Sequence, residues 1–259
     1  MIPSLFTAAA ERSADAWRPV LLRGLEALNA ADSSYLPALA NDDFLPTQGR
    51  LFAAFDQPLD KVRYVLVGEG PYPREVSATG VCFMDGAVKE LWSTQGLSKP
   101  VNRATSLRNF MKMLMVADGL LAPEHTSGES VAVVSAQAVS SGSGLIQTLP
   151  DLQHNLTAQG FLLLNAALVY RPHVPPVKEA KAWRPFLEIV LEALADRPGL
   201  PSPTLVLWGR IAHWLDDLPA VSRFPRSMAE HPYNLSFIQN RAMHDLFGPM
   251  HLLRLKNFN

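Results

Sequence analysis

The apolar positions of the chain fall into two kinds of run. Val62-Arg63-Tyr64-Val65-Leu66-Val67 is apolar on both faces and then breaks into Gly68-Glu69-Gly70-Pro71-Tyr72-Pro73. That pattern predicts a buried strand ending in a turn that cannot continue it. Gly160 to Leu168 and Thr204 to Gly209 are similar continuous runs, expected of central parallel strands. Thr79 to Met84 is a shorter run and is expected to be a further strand. Between these, Trp17–Leu28 and Ser106–Leu114 space their apolar residues helically, with Pro19 in the first turn of one and Ser106 as N-cap candidate of the other. Arg50–Phe55 reads as a short helical piece, and a helix is expected from about Arg210. The phrase Trp183-Arg184-Pro185 returns from Trp17-Arg18-Pro19 and reads as a second helix start. Nothing else recurs at that spacing, so no repeat architecture follows. Strands alternating with helices predict an α/β protein, a three-layer α/β/α sandwich around a central four-stranded parallel sheet.

One stretch stands outside this alternation. Pro123 to Pro150 is rich in Ser, Gly and Thr around the interlude Val131-Ala132-Val133-Val134. It reads as an excursion, a small hairpin or a mobile loop, inserted at about 123–150 into a single domain spanning 1–259.

Composition narrows the class. With 259 residues, 48% apolar and 18% charged, the chain can bury a sizeable core and is not of the disordered type. Its longest apolar runs fall far short of a membrane span, and its first residues show no secretory pattern, so a cytoplasmic protein is the default. Cys82 is the one cysteine, which rules out an internal disulfide and any multi-cysteine zinc or iron–sulfur site. The net charge of −1 gives no global argument for nucleic acid. Charge is uneven, however: residues 1–60 hold four Lys/Arg against eight Asp/Glu, and 61–110 hold seven against four. A mildly basic middle suits a phosphate backbone as well as it suits ordinary solvated surface.

The candidate chemistry sits where strands end. Ligands of open α/β sheets bind outside the carboxyl ends of the strands, which is where Glu69 stands between Gly68 and Gly70. Taken alone, Glu69 is a solvated carboxylate in a tight turn. Asn165 interrupts an apolar run and must be either a satisfied core amide or a reader of a ligand. His231 opens the loop His231-Pro232-Tyr233-Asn234-Leu235-Ser236.

Together these stretches resemble a known family. Gly68-Glu69-Gly70-Pro71-Tyr72-Pro73, Gly80-Val81-Cys82-Phe83, Ser106-Leu107-Arg108-Asn109, Leu162-Leu163-Leu164-Asn165-Ala166, Leu207-Trp208-Gly209 and the His231 loop occur in the order seen in uracil-DNA glycosylases. The chain is most similar to the classical branch, from about Trp17 to Leu253. The resemblance implies a DNA-repair hydrolase of base excision that flips uracil, or a related deaminated base, out of DNA and cleaves its N-glycosidic bond. By that resemblance Gly68 and Gly70 line the base site, Phe83 stacks on the base and Asn165 bonds its edge. Tyr72 excludes a C5 methyl group, and His231 donates to the uracil oxygen that gains charge. Leu235 wedges into the vacated stack, while Ser106 and Ser236 contact the DNA. It implies no cofactor, and a monomer acting on uracil-containing DNA, single- or double-stranded, away from membranes.

The departures are as specific as the matches. Where the classical turn reads Gly-Gln-Asp-Pro-Tyr-His, the water-orienting Asp is here Gly70, the Gln is Glu69 and the His is Pro73. The Gly-Glu-Gly-Pro order also resembles the iron–sulfur branch of the superfamily, whose cluster one cysteine cannot hold. Glu69 is therefore the candidate for the catalytic carboxylate. The alternative is a catalytically impaired homologue that binds DNA, a free base or a protein partner.

Overall fold

The expected core strand exists and organises a sheet. In the computed structural model, which describes residues 1–255, α1 (Ser4–Ala10), α2 (Arg18–Ala31) and α3 (Tyr35–Ala40) precede β1 (Tyr64–Gly68). A short hairpin of β2 (Trp92–Ser93) and β3 (Gly96–Leu97) follows, then α4 (Lys99–Arg103), α5 (Thr105–Ala117), α6 (Gly128–Ala138) and α7 (Leu149–Ala158). The chain continues as β4 (Phe161–Asn165), α8 (Pro176–Ala195), β5 (Thr204–Trp208), α9 (Ile211–Leu215), β6 (Arg226–Ala229) and α10 (Arg241–Phe247). The sheet has the order β4-β1-β5-β6. β1 pairs in parallel with β4, from Tyr64 opposite Phe161 to Gly68 opposite Asn165, and with β5 on its other side. Along β6, Pro225 O accepts from Leu205 N–H and Ala229 O from Gly209 N–H, each at 2.9 Å. All five residues of β4 are buried, as its unbroken apolar run requires. The expected fold class, an α/β protein with a four-stranded parallel sheet flanked by helices, is the one observed.

Contacts group the residues into two units. The first comprises Met1–Gly86, Gly160–Leu207 and Ile211–Arg226; the second comprises Ala87–Gln159, Trp208–Arg210 and the chain from Ser227. In the first, α2 and α8 pack closely because Gly24 leaves room. A Cβ there would lie 2.6 Å from Phe186 Cδ2. In the second, Trp208 meets the rings of Phe110, Phe237 and Phe247 at centroid distances of 5.3–6.5 Å, and its indole N–H donates to Met243 Sδ at 3.2 Å.

Four local expectations are corrected. Thr79–Met84 is not a strand: Gly80 (φ 82°) and Phe83 (φ 66°) lie in the left-handed region, which breaks extended geometry. Thr79 Oγ1 closes the turn by accepting from Val81 N–H at 3.2 Å and donating to Met84 O at 2.9 Å. The sheet's fourth strand is instead β6. The excursion at 123–150 is neither hairpin nor loop but carries α6, capped by Ser127 Oγ accepting from Ser130 N–H at 3.2 Å. Its buried positions, Val131, Val134, Ser135 and Ala138, follow the helical period, which outweighs the strand preference of a valine run. Trp183 does not start a helix; it lies inside α8 with Pro185. An interior Pro costs about 3 kcal/mol, offset here by burial of Trp183, Phe186, Leu187, Val190, Leu191 and Leu194 on one stripe. Ser106 is not the N-cap of α5. Ala104 holds that position with no side-chain cap, and Ser106 falls in the first turn.

Candidate active site

At the carboxyl end of β1, the absence of a side chain lets three groups converge. A Cβ on Gly68 would stand 2.4 Å from Cys82 Sγ and 3.1 Å from Asn165 Oδ1, so only glycine fits. The neighbouring chain stays in register past the strand: Ala166 N–H donates to Gly68 O at 2.8 Å and Ala167 N–H to Glu69 O at 3.1 Å. Glu69 and Gly70 are both exposed. Among the described residues the Glu69 carboxylate makes no hydrogen bond or ion pair. A Cβ on Gly70 would meet only Ala167 Cβ and Ala167 O at an ordinary 3.7 Å, and Gly70 is outside the left-handed region.

Asn165 is 5% exposed, and among the described residues its side-chain amide has no hydrogen-bond partner. Neither polar atom of this amide is among the buried side-chain atoms that lack a partner, so each keeps some contact with solvent, and the amide can exchange water for a donor and an acceptor of another molecule. Cys82 is its apolar wall: burial pushes the thiol up to about 12, against a hydrogen bond from the Gly68 backbone that lowers it. Cys82 N–H donates to Leu163 O at 3.0 Å and so ties this turn to β4. Next to it Phe83 is half-buried at φ 66°, a conformation that costs a bulky residue of order 1–3 kcal/mol and collects at functional sites. Tyr72 is half-buried. Its phenol is pushed above the ordinary range by burial first, then by the nearby Cys82 and Asp85, so it stays protonated.

The second unit holds the other predicted residues. His231 lies against Gly209, where a Cβ would come within 2.9 Å of the His231 Cβ and where φ is 66°. Tyr233 N–H donates to His231 Nδ1 at 3.1 Å. A nitrogen that accepts carries no proton, so the neutral ring holds its proton on Nε2 and presents it as a donor. Asn109, fully buried, donates from Nδ2 to Pro232 O at 2.7 Å and to Tyr233 O and Asn234 O at 3.4 Å. It pins the loop across 123 residues of sequence. Leu235 and Ser236 are exposed. Glu230 lies below the usual carboxylate range: burial opposes the charge, but hydrogen bonds from Ser236 and Asn240 outweigh it. Ser106 is half-buried in the first turn of α5.

The structure thus brings Gly68, Gly70, Tyr72, Phe83 and Asn165 together in the first unit, with Glu69 at their edge. Ser106, His231, Leu235 and Ser236 belong to the second. Sequence reasoning gave Asn109 no role of its own. Its one signal was a carboxamide followed by the apolar run Phe110-Met111 on α5, which demands a buried partner. Glu230, which grips Asn240 at 2.7 Å, had no signal beyond its place before His231. Among the described residues no three His, Cys, Asp or Glu side chains group as metal ligands.

Comparison with known proteins adds relatives to this geometry. No family model matches the chain. It is 30% identical over 215 residues to the uracil-DNA glycosylase of Corynebacterium glutamicum, covering 80% of this chain and 77% of that protein. It is 33% identical over 210 residues to uracil-DNA glycosylase 1 of Streptomyces avermitilis, covering 79% and 72%. The crystal structure of the wild-type UNG from Nitratifractor salsuginis superposes with a TM-score of 0.85 at 39% identity over 96% of both chains. The mimivirus uracil-DNA glycosylase, at 18% identity and a TM-score of 0.53 over 89% of this chain and 73% of that one, shares the fold.

Proposed function

The chain belongs to the uracil-DNA glycosylase family, and from that premise we propose that it hydrolyses the N-glycosidic bond of uracil, or a related deaminated base, flipped out of DNA. In that reaction the bond between the sugar's anomeric carbon and the base nitrogen breaks, and its electron pair leaves with the uracil anion. Water adds to the oxocarbenium-like sugar and gives up a proton, leaving free uracil and an abasic site. The observation that carries the reading is the 5%-exposed Asn165 amide without a partner, suited to a base edge that offers both a donor and an acceptor.

The other roles follow from the chemistry of each group. Phe83 would supply a stacking face, held by an otherwise costly backbone conformation. Tyr72, neutral and beside Pro71, would bar a C5 methyl group. His231 would donate from Nε2–H to the oxygen of the departing anion, in the tautomer that the Tyr233 amide supports. Such donors, aimed where charge develops, are worth about two to three orders of magnitude in rate. Glu69 would orient the water, since Gly70 brings no side chain to the turn. Leu235 would fill the gap left by the extruded nucleotide, with Ser106 and Ser236 on the DNA backbone. The working form would be a monomer free of any iron–sulfur cluster, acting on single- or double-stranded DNA.

Oligonucleotides carrying uracil, hypoxanthine or a G·T mismatch, incubated with the protein and cleaved with alkali, test this. Strand scission at uracil and none at thymine is expected, and intact uracil strands at high enzyme would overturn the reading. Gly70 favours one second reading, a homologue that keeps the base pocket but turns over poorly. That protein would bind uracil-containing or abasic DNA more tightly than normal DNA in the same assay series without cutting it.

A further inference from the structure

The loop that carries His231 presents two large side chains for which the fold has no use. Tyr233 is 68% exposed and Leu235 69%. Among the described residues the Tyr233 ring stacks on no other aromatic and its hydroxyl makes no hydrogen bond. The backbone beneath it is nevertheless tightly held. Pro232 is buried, Asn109 donates to three consecutive carbonyls, Tyr233 N–H donates to His231 Nδ1, and Asn234 N–H and Nδ2 both donate to His231 O, at 2.9 and 3.2 Å. The exposed Asn234 has its amide tied to His231 O, and Leu235 has no π-face. Beside the His231 imidazole, Tyr233 gives this loop a second exposed flat ring, on a backbone already fixed, so that binding to it forfeits little conformational freedom.

We propose that Tyr233 is a nucleobase-stacking residue, its ring packing on the face of a DNA base adjacent to the extruded nucleotide. The proposal rests on the glycosylase reading for its ligand but uses a residue that the resemblance leaves without a role. Stacking on an aromatic ring is tolerant of base identity because every base has a π-face. Tyr233 would add affinity for DNA without setting which base is excised. The aliphatic Leu235 would fill space, while Tyr233 would cover a neighbouring base whose partner in the stack has been removed.

The test is binding of the full chain to a single-stranded oligonucleotide carrying a tetrahydrofuran abasic analogue, flanked by 2-aminopurine and read by anisotropy and by 2-aminopurine emission. Tyr233→Ala is expected to weaken binding by about 5- to 150-fold and to abolish the emission change. Tyr233→Phe should keep affinity within about twofold, because the ring and not the hydroxyl is required. Tyr233→Leu, which keeps apolar area but no π-face, should behave like the alanine variant. Val133→Ala, at an exposed apolar position on α6, controls for loss of surface hydrophobicity and should change nothing. Melting temperatures of all variants confirm folding. Unaltered affinity and emission in folded Tyr233→Ala overturn the proposal even if uracil is excised normally. A protein that binds in a Tyr233-dependent way but leaves uracil in place overturns the glycosylase reading and keeps this one. No binding by the unaltered chain overturns this proposal, while uracil excision alone decides the glycosylase reading.

Discussion

At position 70 a catalytic question reduces to one missing side chain. The turn has a free carboxylate at Glu69 and open space at Gly70, where a new Cβ would touch Ala167 no closer than 3.7 Å. Gly70 has no left-handed φ to preserve, so Gly70→Asp should fold, with a melting temperature close to that of the unaltered protein. If Glu69 orients the water, Glu69→Gln should lower single-turnover uracil excision by about two orders of magnitude or more, and Gly70→Asp should add little. If Glu69 is idle, Gly70→Asp should raise excision about tenfold or more, and Glu69→Gln should leave it unchanged. A folded pair in which neither substitution moves the rate would leave no carboxylate of this turn in the chemistry and would favour the binding-only reading.

Among the elements, α5 and the His231 loop form the plainest mechanical pair. Asn109 is fully buried and is the side-chain donor that reaches the carbonyls of Pro232, Tyr233 and Asn234. Asn109→Ala removes that donor and leaves the carbonyl of buried Pro232 without it, at a cost of about 1–3 kcal/mol. Denaturant unfolding should show the loss as a lower midpoint. Because the same bonds hold the loop that carries His231 and Leu235, excision should fall by more than global stability explains when both are measured below the melting range. An unchanged midpoint would mean that water replaces the carboxamide. The helical pattern of α5 was legible from its apolar spacing, and so was the strand that became β4. The mid-helix position of Trp183 was not, because Pro185 locally signals a start and only the buried stripe of α8 overrides it. The turn at Thr79–Met84 was misread for a related reason. Its residues are apolar enough for a strand, but Gly80 can sit only where a Cβ would fall 2.0 Å from Arg50 O, a constraint set by a segment thirty residues earlier.

For the whole molecule, the net charge of −1 hides a local excess of Lys and Arg over residues 61–110. Binding to abasic-analogue DNA should therefore weaken as salt rises, with a log–log slope of about −0.7 per phosphate neutralised on a single strand. Titration between low and physiological salt measures it, and a flat line would place binding on the base pocket alone. No helix among the described residues is long and apolar enough to cross a membrane, in keeping with the absence of long apolar runs in the sequence.

What the sequence determined by itself was carried by its longest local patterns. The three longest apolar runs, at 62–67, 160–168 and 204–209, each hold a buried parallel strand, the Gly68–Pro73 break ends one of them, and the ordered motifs pointed to the glycosylase family. What the tertiary structure decided depends on partners far apart in the chain. Whether Asn165 is a satisfied core amide or an unpartnered one turns on what surrounds it. That Gly68 must be glycine follows from Cys82 and Asn165 arriving beside it. Arg171 finds its carboxylates in Glu179 at 2.5 Å and Asp42 at 3.1 Å, the latter 129 residues away. The His231 tautomer and the rigidity under Tyr233 come from contacts that periodicity does not encode. The physical reason is range: hydrophobic spacing is a property of neighbours along the chain, whereas satisfaction of a buried polar group is a property of neighbours in space.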